Sequence, residues 1–230
     1  MKITSQNLMR WSGTAVMIAG LTYALVGALH PPNALSSVIT PAWMMVHVLA
    51  MATSIFGLLG LAGLYARQAE KTGWLGLAGY ILLSLWLALV LGFTFVEVFI
   101  LPPLTTVAPA FVESWLGMFN GTPSTIDLAT LPTVWTITGP LYILGGVLFG
   151  IATFRARILS RWAGILLAVG TAMGPVAAFL PLDLQPKVAL PVGIALLWLG
   201  YVLWSERRST SALALTAAGD KAPTRTAATA

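Results

Sequence analysis

The sequence predicts an all-α, polytopic integral membrane protein. Its six transmembrane helices are arranged as three hairpins, with a short interfacial helix in the outer loop between helices 3 and 4. Three observations predict this. The chain of 230 residues is 58% apolar and only 8% charged. A soluble domain carries roughly 25% charged residues, so there is too little polar surface here to face water. Six apolar stretches, 11–29, 42–65, 74–101, 134–154, 162–180 and 188–204, account for most of the chain. Each is near or above the ~20 helical residues that cross a ~30 Å hydrocarbon core. Finally, the basic residues gather on one side of these stretches.

Within lipid the backbone must satisfy its own hydrogen bonds. None of the stretches alternates as a barrel strand would, so each is read as helix. Lys2 and Arg10 precede the first, and Arg67 and Lys71 join the second to the third. Arg155, Arg157 and Arg161 join the fourth to the fifth, and Arg207, Arg208, Lys221 and Arg225 follow the sixth. Lys187 alone lies on the opposite side, beside Glu113, Asp127 and Asp183. By the positive-inside rule both termini are cytoplasmic, and the expected location is the cytoplasmic (inner) membrane of a bacterium. The net charge of +5 then reflects topology and anionic headgroups. It calls for membrane lipids as partners and no nucleic acid.

The first, third and fifth stretches open with Arg10-Trp11-Ser12-Gly13, Gly73-Trp74-Leu75-Gly76 and Arg161-Trp162-Ala163-Gly164. The second, fourth and sixth begin near Pro41, Pro132 and Pro186. This alternation fits first an interface rule, with Trp anchoring at headgroups and proline starting helices; a duplicated hairpin is the alternative. Val26-Gly27-Ala28 loosely resembles a signal cleavage site, but the preceding run is long for a signal core, so the first helix is expected to be retained. Trp43, Trp115 and Trp135 are expected in an outer aromatic belt, and Trp11, Trp74, Trp162 and Trp204 in an inner one. Small residues are spaced for close helix contact at Gly57, Gly60 and Gly63, at Gly146 and Gly150, and at Gly170 and Gly174. Such spacing lets backbones approach, either inside one bundle or along a homo-oligomer or membrane-complex seam.

The long outer loop, 102–131, contains a segment read as helix, 109–120. Pro109 suits its first turn and Asn120-Gly121 its stop. Phe111, Trp115 and Phe119 share one face at four-residue spacing, and Glu113 and Asn120 are expected to stay wet. The segment serves either as an interfacial anchor or as a lid over the bundle mouth. The domains are therefore a transmembrane unit, 1–208, and a cytoplasmic tail, 209–230, whose Ala- and Thr-rich composition predicts disorder.

Chemistry-bearing residues are few. Cysteine is absent, which excludes disulfides, thiolate metal sites and cysteine catalysis. No Gly-rich phosphate loop occurs. His30 ends the first helix, His47 lies six residues past Pro41, and Glu97 lies four before Leu101. At 1.5 Å per residue their depths below the outer boundary are roughly 0–3, 9 and 6 Å, so the three can converge. An ionisable group in a span faces the bundle interior or a cavity. The plain reading is a structural network between helices 2 and 3. His, His and Glu also form a ligand set for zinc, and two histidines can hold haem, although unequal depths count against that. Pro140 and Pro175 displace the carbonyls of Thr136 and Thr171. With Thr138 and Tyr142 these residues suggest a polar pocket opening outward. The pocket residues expected are His47, Glu97, Thr136, Thr138, Tyr142 and Thr171.

The leading functional expectation is non-enzymatic. It is a small multi-pass protein that binds a lipid or small apolar molecule in an outward pocket, or serves as an accessory subunit. The alternatives are a metal-dependent membrane enzyme or metal- or haem-binding protein using His30, His47 and Glu97, and a small transporter. Transport is weakened because one carboxylate alone lies deep, while proton paths use several.

Overall fold

The computed structural model describes residues 4–219, with Gln6 and residues 206–219 described by backbone alone. Prolines and hydroxyl side chains set where its helices begin. Thr4 caps α1 (Ser5–Leu29), accepting from the Asn7 amide at 3.2 Å. Thr40 does the same for α3 (Pro41–Phe99) through the Trp43 amide, with Pro41 in the first turn. Such caps satisfy amides that the helix leaves without partners. Between them lies a single turn, α2 (Leu35–Val38). Beyond α3 come α4 (Leu101–Val107), α5 (Pro109–Asn120) and α6 (Leu131–Ala156). The chain ends in α7 (Arg161–Ala172), α8 (Gly174–Ala177), a 3₁₀ turn (Gln185–Ala189) and α9 (Leu190–Gly219). The described residues contain no strand.

A straight helix of the 59 residues of α3 would run about 90 Å. It is not straight. Gly73 leaves the helical conformation at φ 53°, ψ −148°, a region that glycine alone occupies without strain. The two limbs, 41–72 and 74–99, fold back on each other. Tyr65 stacks on Tyr80 at 4.9 Å, Gly57 faces Leu87, and His47 meets Glu97. These pairs run in opposite directions along the chain, so the limbs are antiparallel. They correspond to the second and third apolar stretches of the sequence.

Each neighbouring pair repeats that relation. Ser12 faces Gly63 and Thr22 faces Thr53 between α1 and the first limb. Gly79 faces Phe149 and Phe93 faces Trp135 between the second limb and α6. Gly164 faces Gly150 and Thr171 faces Gly146 between α6 and α7. Gly170 of α7 meets Val192 of α9. The ring closes where α9 returns against α1, with Gly200 on Gly13 and Gly193 on Gly20. Six helical arms thus form a closed antiparallel ring. Residues 5 and 205 lie at one end, and α2, α4 and α5 close the other, called distal below. The small residues singled out in the sequence at 57, 60, 63, 146, 150 and 170 all face neighbours inside this ring, so they lend no support to an oligomer seam.

Among the described residues, four helices are long and apolar enough to cross a membrane: Asn7–Leu29, Pro41–Phe99, Leu131–Ala156 and Gln185–Ser205. Arg161–Ala172 is apolar but shorter, and here the expected 19-residue stretch is corrected. Pro175 has no amide to give the Thr171 carbonyl, so α7 stops at Ala172 and the chain reaches Leu180 through α8 and turns. The fourth stretch is helical through Pro140, and α9 starts with Pro191 in its first turn. The backbone of α9 continues as helix to Gly219. The part of the expected tail after that residue lies outside the described residues. Alanine-rich sequence favours helix intrinsically, which accounts for the extension past Ser209.

The aromatic belts divide. Trp11, Trp74 and Trp162 are exposed on the ring's outer surface at the end that holds residues 5 and 205, as an anchoring belt requires. The outer belt is a correction. Trp43 and Trp115 are 0% and 2% exposed, and both pack with Phe93, Val112 and Leu116 in one distal core, Trp135 resting against it. Their neighbours supply enough apolar surface to bury an indole completely, which hydropathy alone does not reveal.

Candidate functional site

The site is built at the distal end, where α1, both limbs of α3 and α6 stand apart. A cavity of ≈ 330 Å³ lies between them. His30 and Tyr23 reach it from α1, His47 and Ser54 from the first limb, Trp86, Phe93 and Glu97 from the second, and Thr138 and Tyr142 from α6. The volume falls in the range of small-molecule pockets.

Glu97 is 5% and His47 3% exposed. The His47 Nε2 and Glu97 Oε2 atoms are 3.4 Å apart, longer than the ~2.7–2.9 Å of a charge-assisted hydrogen bond. His47 Nδ1 lies 2.8 Å from the Trp43 carbonyl oxygen. A carbonyl can only accept, so Nδ1 carries a proton and Nε2 is the nitrogen presented to Glu97. His30 is fixed the same way, with Nδ1 donating to the Pro31 carbonyl at 2.7 Å. Trp43 braces the pair from behind: its ring stacks on His47 at 4.0 Å and its indole N–H donates to the Glu97 carbonyl at 3.0 Å. Trp115 of α5 brings its buried indole N–H toward the Glu97 carboxyl. Ser54 Oγ, fully buried, has no hydrogen-bond partner.

Two aromatic walls bound the cavity. Toward the middle of the ring, Trp86 packs on Tyr142 at 4.7 Å and on Tyr23 at 5.9 Å, and the two tyrosine hydroxyls are 3.3 Å apart. Toward the distal mouth, Phe119 meets Trp135 at 4.4 Å and Phe93 meets Trp135 at 5.3 Å. Beyond the mouth a second cavity of ≈ 510 Å³ shares His30, Asn33 and Phe119 with the first. Asn120 ties α5 across this opening, donating through Nδ2 to the Asn33 carbonyl at 2.9 Å. In the other direction, Leu61, Leu64, Leu83, Phe149, Leu167 and Leu199 pack into one core between the cavity and the end that holds residues 5 and 205.

His47, Glu97, Thr138 and Tyr142 therefore meet in one cavity, as the sequence suggests. Thr136 does not: it is exposed, and its hydroxyl donates to the Pro132 carbonyl. Residues two apart on a helix point in nearly opposite directions, so Thr136 and Thr138 cannot share a pocket. Thr171 lines a separate apolar cleft of ≈ 40 Å³ below Tyr142, with its hydroxyl donating to the Leu167 carbonyl. Among the described residues, no group of three His, Cys, Asp or Glu side chains is arranged to hold a metal ion. His47 Nε2 stands 3.4 Å from Glu97 Oε2, and the His30 ring meets His47 edge to face with centroids 5.2 Å apart. His30, His47 and Glu97 do not form such a group. Asn120, expected to be wet, is half-buried, while Glu113 is exposed. Sequence reasoning missed Tyr23, Ser54, Trp86 and Asn33. Tyr23 lies seven residues before His30, which puts both on one helix face, a signal that was available.

Comparison with protein-family models, with curated proteins and with solved structures gives no match.

Proposed function

We propose that this is a six-span protein of the cytoplasmic (inner) membrane, with both termini cytoplasmic, whose outward cavity binds a small, largely apolar molecule. The cavity at Glu97 carries this reading: two aromatic walls enclose ≈ 330 Å³, with a single buried His–Glu pair on one side. Such sites combine apolar lining with a few convergent polar groups that orient the ligand. The antiparallel ring supports six crossings, with α7 and the turns after it as the fifth. The basic residues support the orientation, since Arg10, Arg67, Lys71, Arg155, Arg157 and Arg161 belong to the end that holds residues 5 and 205. The apolar packing below Tyr142 favours binding over a through-path. A metal enzyme has less support, because among the described residues no three His, Asp or Glu side chains are arranged to hold a metal ion.

Orientation is tested with single cysteines, since the chain has none. Ser124→Cys should react with an impermeant maleimide from outside and Ser209→Cys should not; equal labelling would contradict the topology. Binding is tested by thermal melting of the protein in lipid nanodiscs with naphthalene as the probe. A ligand that binds only the folded state raises the midpoint. Naphthalene should raise it for the wild type, and Ala50→Phe, which fills the cavity from the first limb of α3, should abolish the rise. An equal rise in both would assign the effect to the bilayer.

A further inference from the structure

We propose that the cavity selects an organic cation, an apolar amine or quaternary ammonium whose charged nitrogen lies between the aromatic walls with Glu97 as its counter-ion. This rests on the cavity being a ligand site and adds the ligand's charge. The observations are geometric. Glu97 is a deeply buried carboxyl group, and no Lys or Arg lines its cavity. Its single ionisable neighbour within salt-bridge distance, His47, stands at 3.4 Å. A buried carboxylate is costly unless it is paired and hydrogen-bonded, and this loose contact leaves room for a cationic partner. The walls supply the rest. Aromatic faces attract ammonium groups through their electron-rich π surfaces, more strongly when water is excluded. Trp86 and Tyr142 on one side and Phe93, Phe119 and Trp135 on the other present such rings around the carboxyl group. An anionic or strongly hydrated ligand would meet these same groups unfavourably. Ser54 Oγ, buried without a partner on the same cavity, can orient a hydrogen-bonding ligand but cannot itself choose the charge.

The test compares benzyltrimethylammonium with neopentylbenzene, which has the same shape with carbon in place of nitrogen. Both are titrated calorimetrically into the full chain in nanodiscs, with protein-free nanodiscs subtracted. The cation should bind roughly tenfold or more tightly than its neutral isostere. Glu97→Gln should bring the two affinities together. Trp135→Leu, which leaves the carboxyl in place, should narrow the gap, and it serves if the glutamine variant folds poorly. Neutral binding equal to or tighter than the cation's in the wild type overturns the proposal while leaving an apolar ligand site standing. Binding of neither probe overturns both.

Discussion

One helix, α1, shows two ways of meeting a neighbour. Toward α9 it presents Gly13 and Gly20, with Gly27 against the 3₁₀ turn before it, and the backbones touch: a methyl group on Gly20 would lie 2.6 Å from the Gly193 carbonyl oxygen. Toward α3 and α6 the distal part of α1 presents Tyr23, Val26 and His30, and the helices stand apart around a cavity. Helices in lipid associate through close packing rather than through a hydrophobic drive. The seam therefore holds the ring closed, while large rings prop it open at the site. Of the buried polar atoms without a hydrogen-bond partner, Ser54 Oγ lines the cavity, while Gln68 Oε1, Ser84 Oγ and Arg161 Nε lie away from it. Close packing lies on one face of α1 and the cavity on the other.

Substitutions can separate the two. The largest loss is expected for Trp43→Ala, about 3–5 kcal/mol, because the indole is 0% exposed and braces both His47 and Glu97. Trp115→Ala belongs with it, so it is a poor probe of access alone. On the seam, Gly20→Val should cost about 3 kcal/mol, since the contact is backbone rather than a movable side chain, and it should leave ligand affinity of the folded fraction unchanged. Reversible unfolding in mixed micelles measures both. A mild effect at Gly20 would mean that the seam is looser than described.

In the cavity, Glu97→Leu should cost about 1–3 kcal/mol, because it leaves His47 Nε2 without a polar neighbour. Pairing it with His47→Leu should recover part of that loss, which a double-mutant cycle reads as a coupling energy; strictly additive losses would show that the pair does not interact. Asn120→Ala removes the tie between α5 and the Asn33 carbonyl. It should cost about 0.5–1.5 kcal/mol and speed ligand exchange in stopped-flow measurements. Unchanged exchange would deny α5 any role as a lid. The smallest effect belongs to Trp74, which is 85% exposed. Trp74→Ala should change stability by less than about 0.5 kcal/mol, in contrast to Trp43.

The sequence carried the helical class, the apolar arms and the meeting of His47 with Glu97, because each depends on composition or on position along a helix. It also carried the bounds of α5, through Pro109 and Gly121. It did not separate buried from exposed tryptophans, since Trp43 and Trp74 both sit near a helix start and differ in what packs on them. It misplaced Thr136 because residues near in sequence were pooled without regard to face. The α1–α9 seam went unread although its glycines recur every seven residues at 13, 20, 27 and again at 193 and 200. Such spacing is recognised as a contact only when a partner is known to lie opposite, and the closure of the ring by its first and last helices is a long-range fact.

The most direct measurement is the position of a heavy atom. In crystals grown with 1-bromonaphthalene, anomalous scattering locates the bromine without reference to the protein's own density. The account predicts one strong peak between the aromatic walls, within contact of Trp86 or Phe93 and close to Glu97. Peaks confined to the lipid-facing surface, with none between those walls, would contradict it.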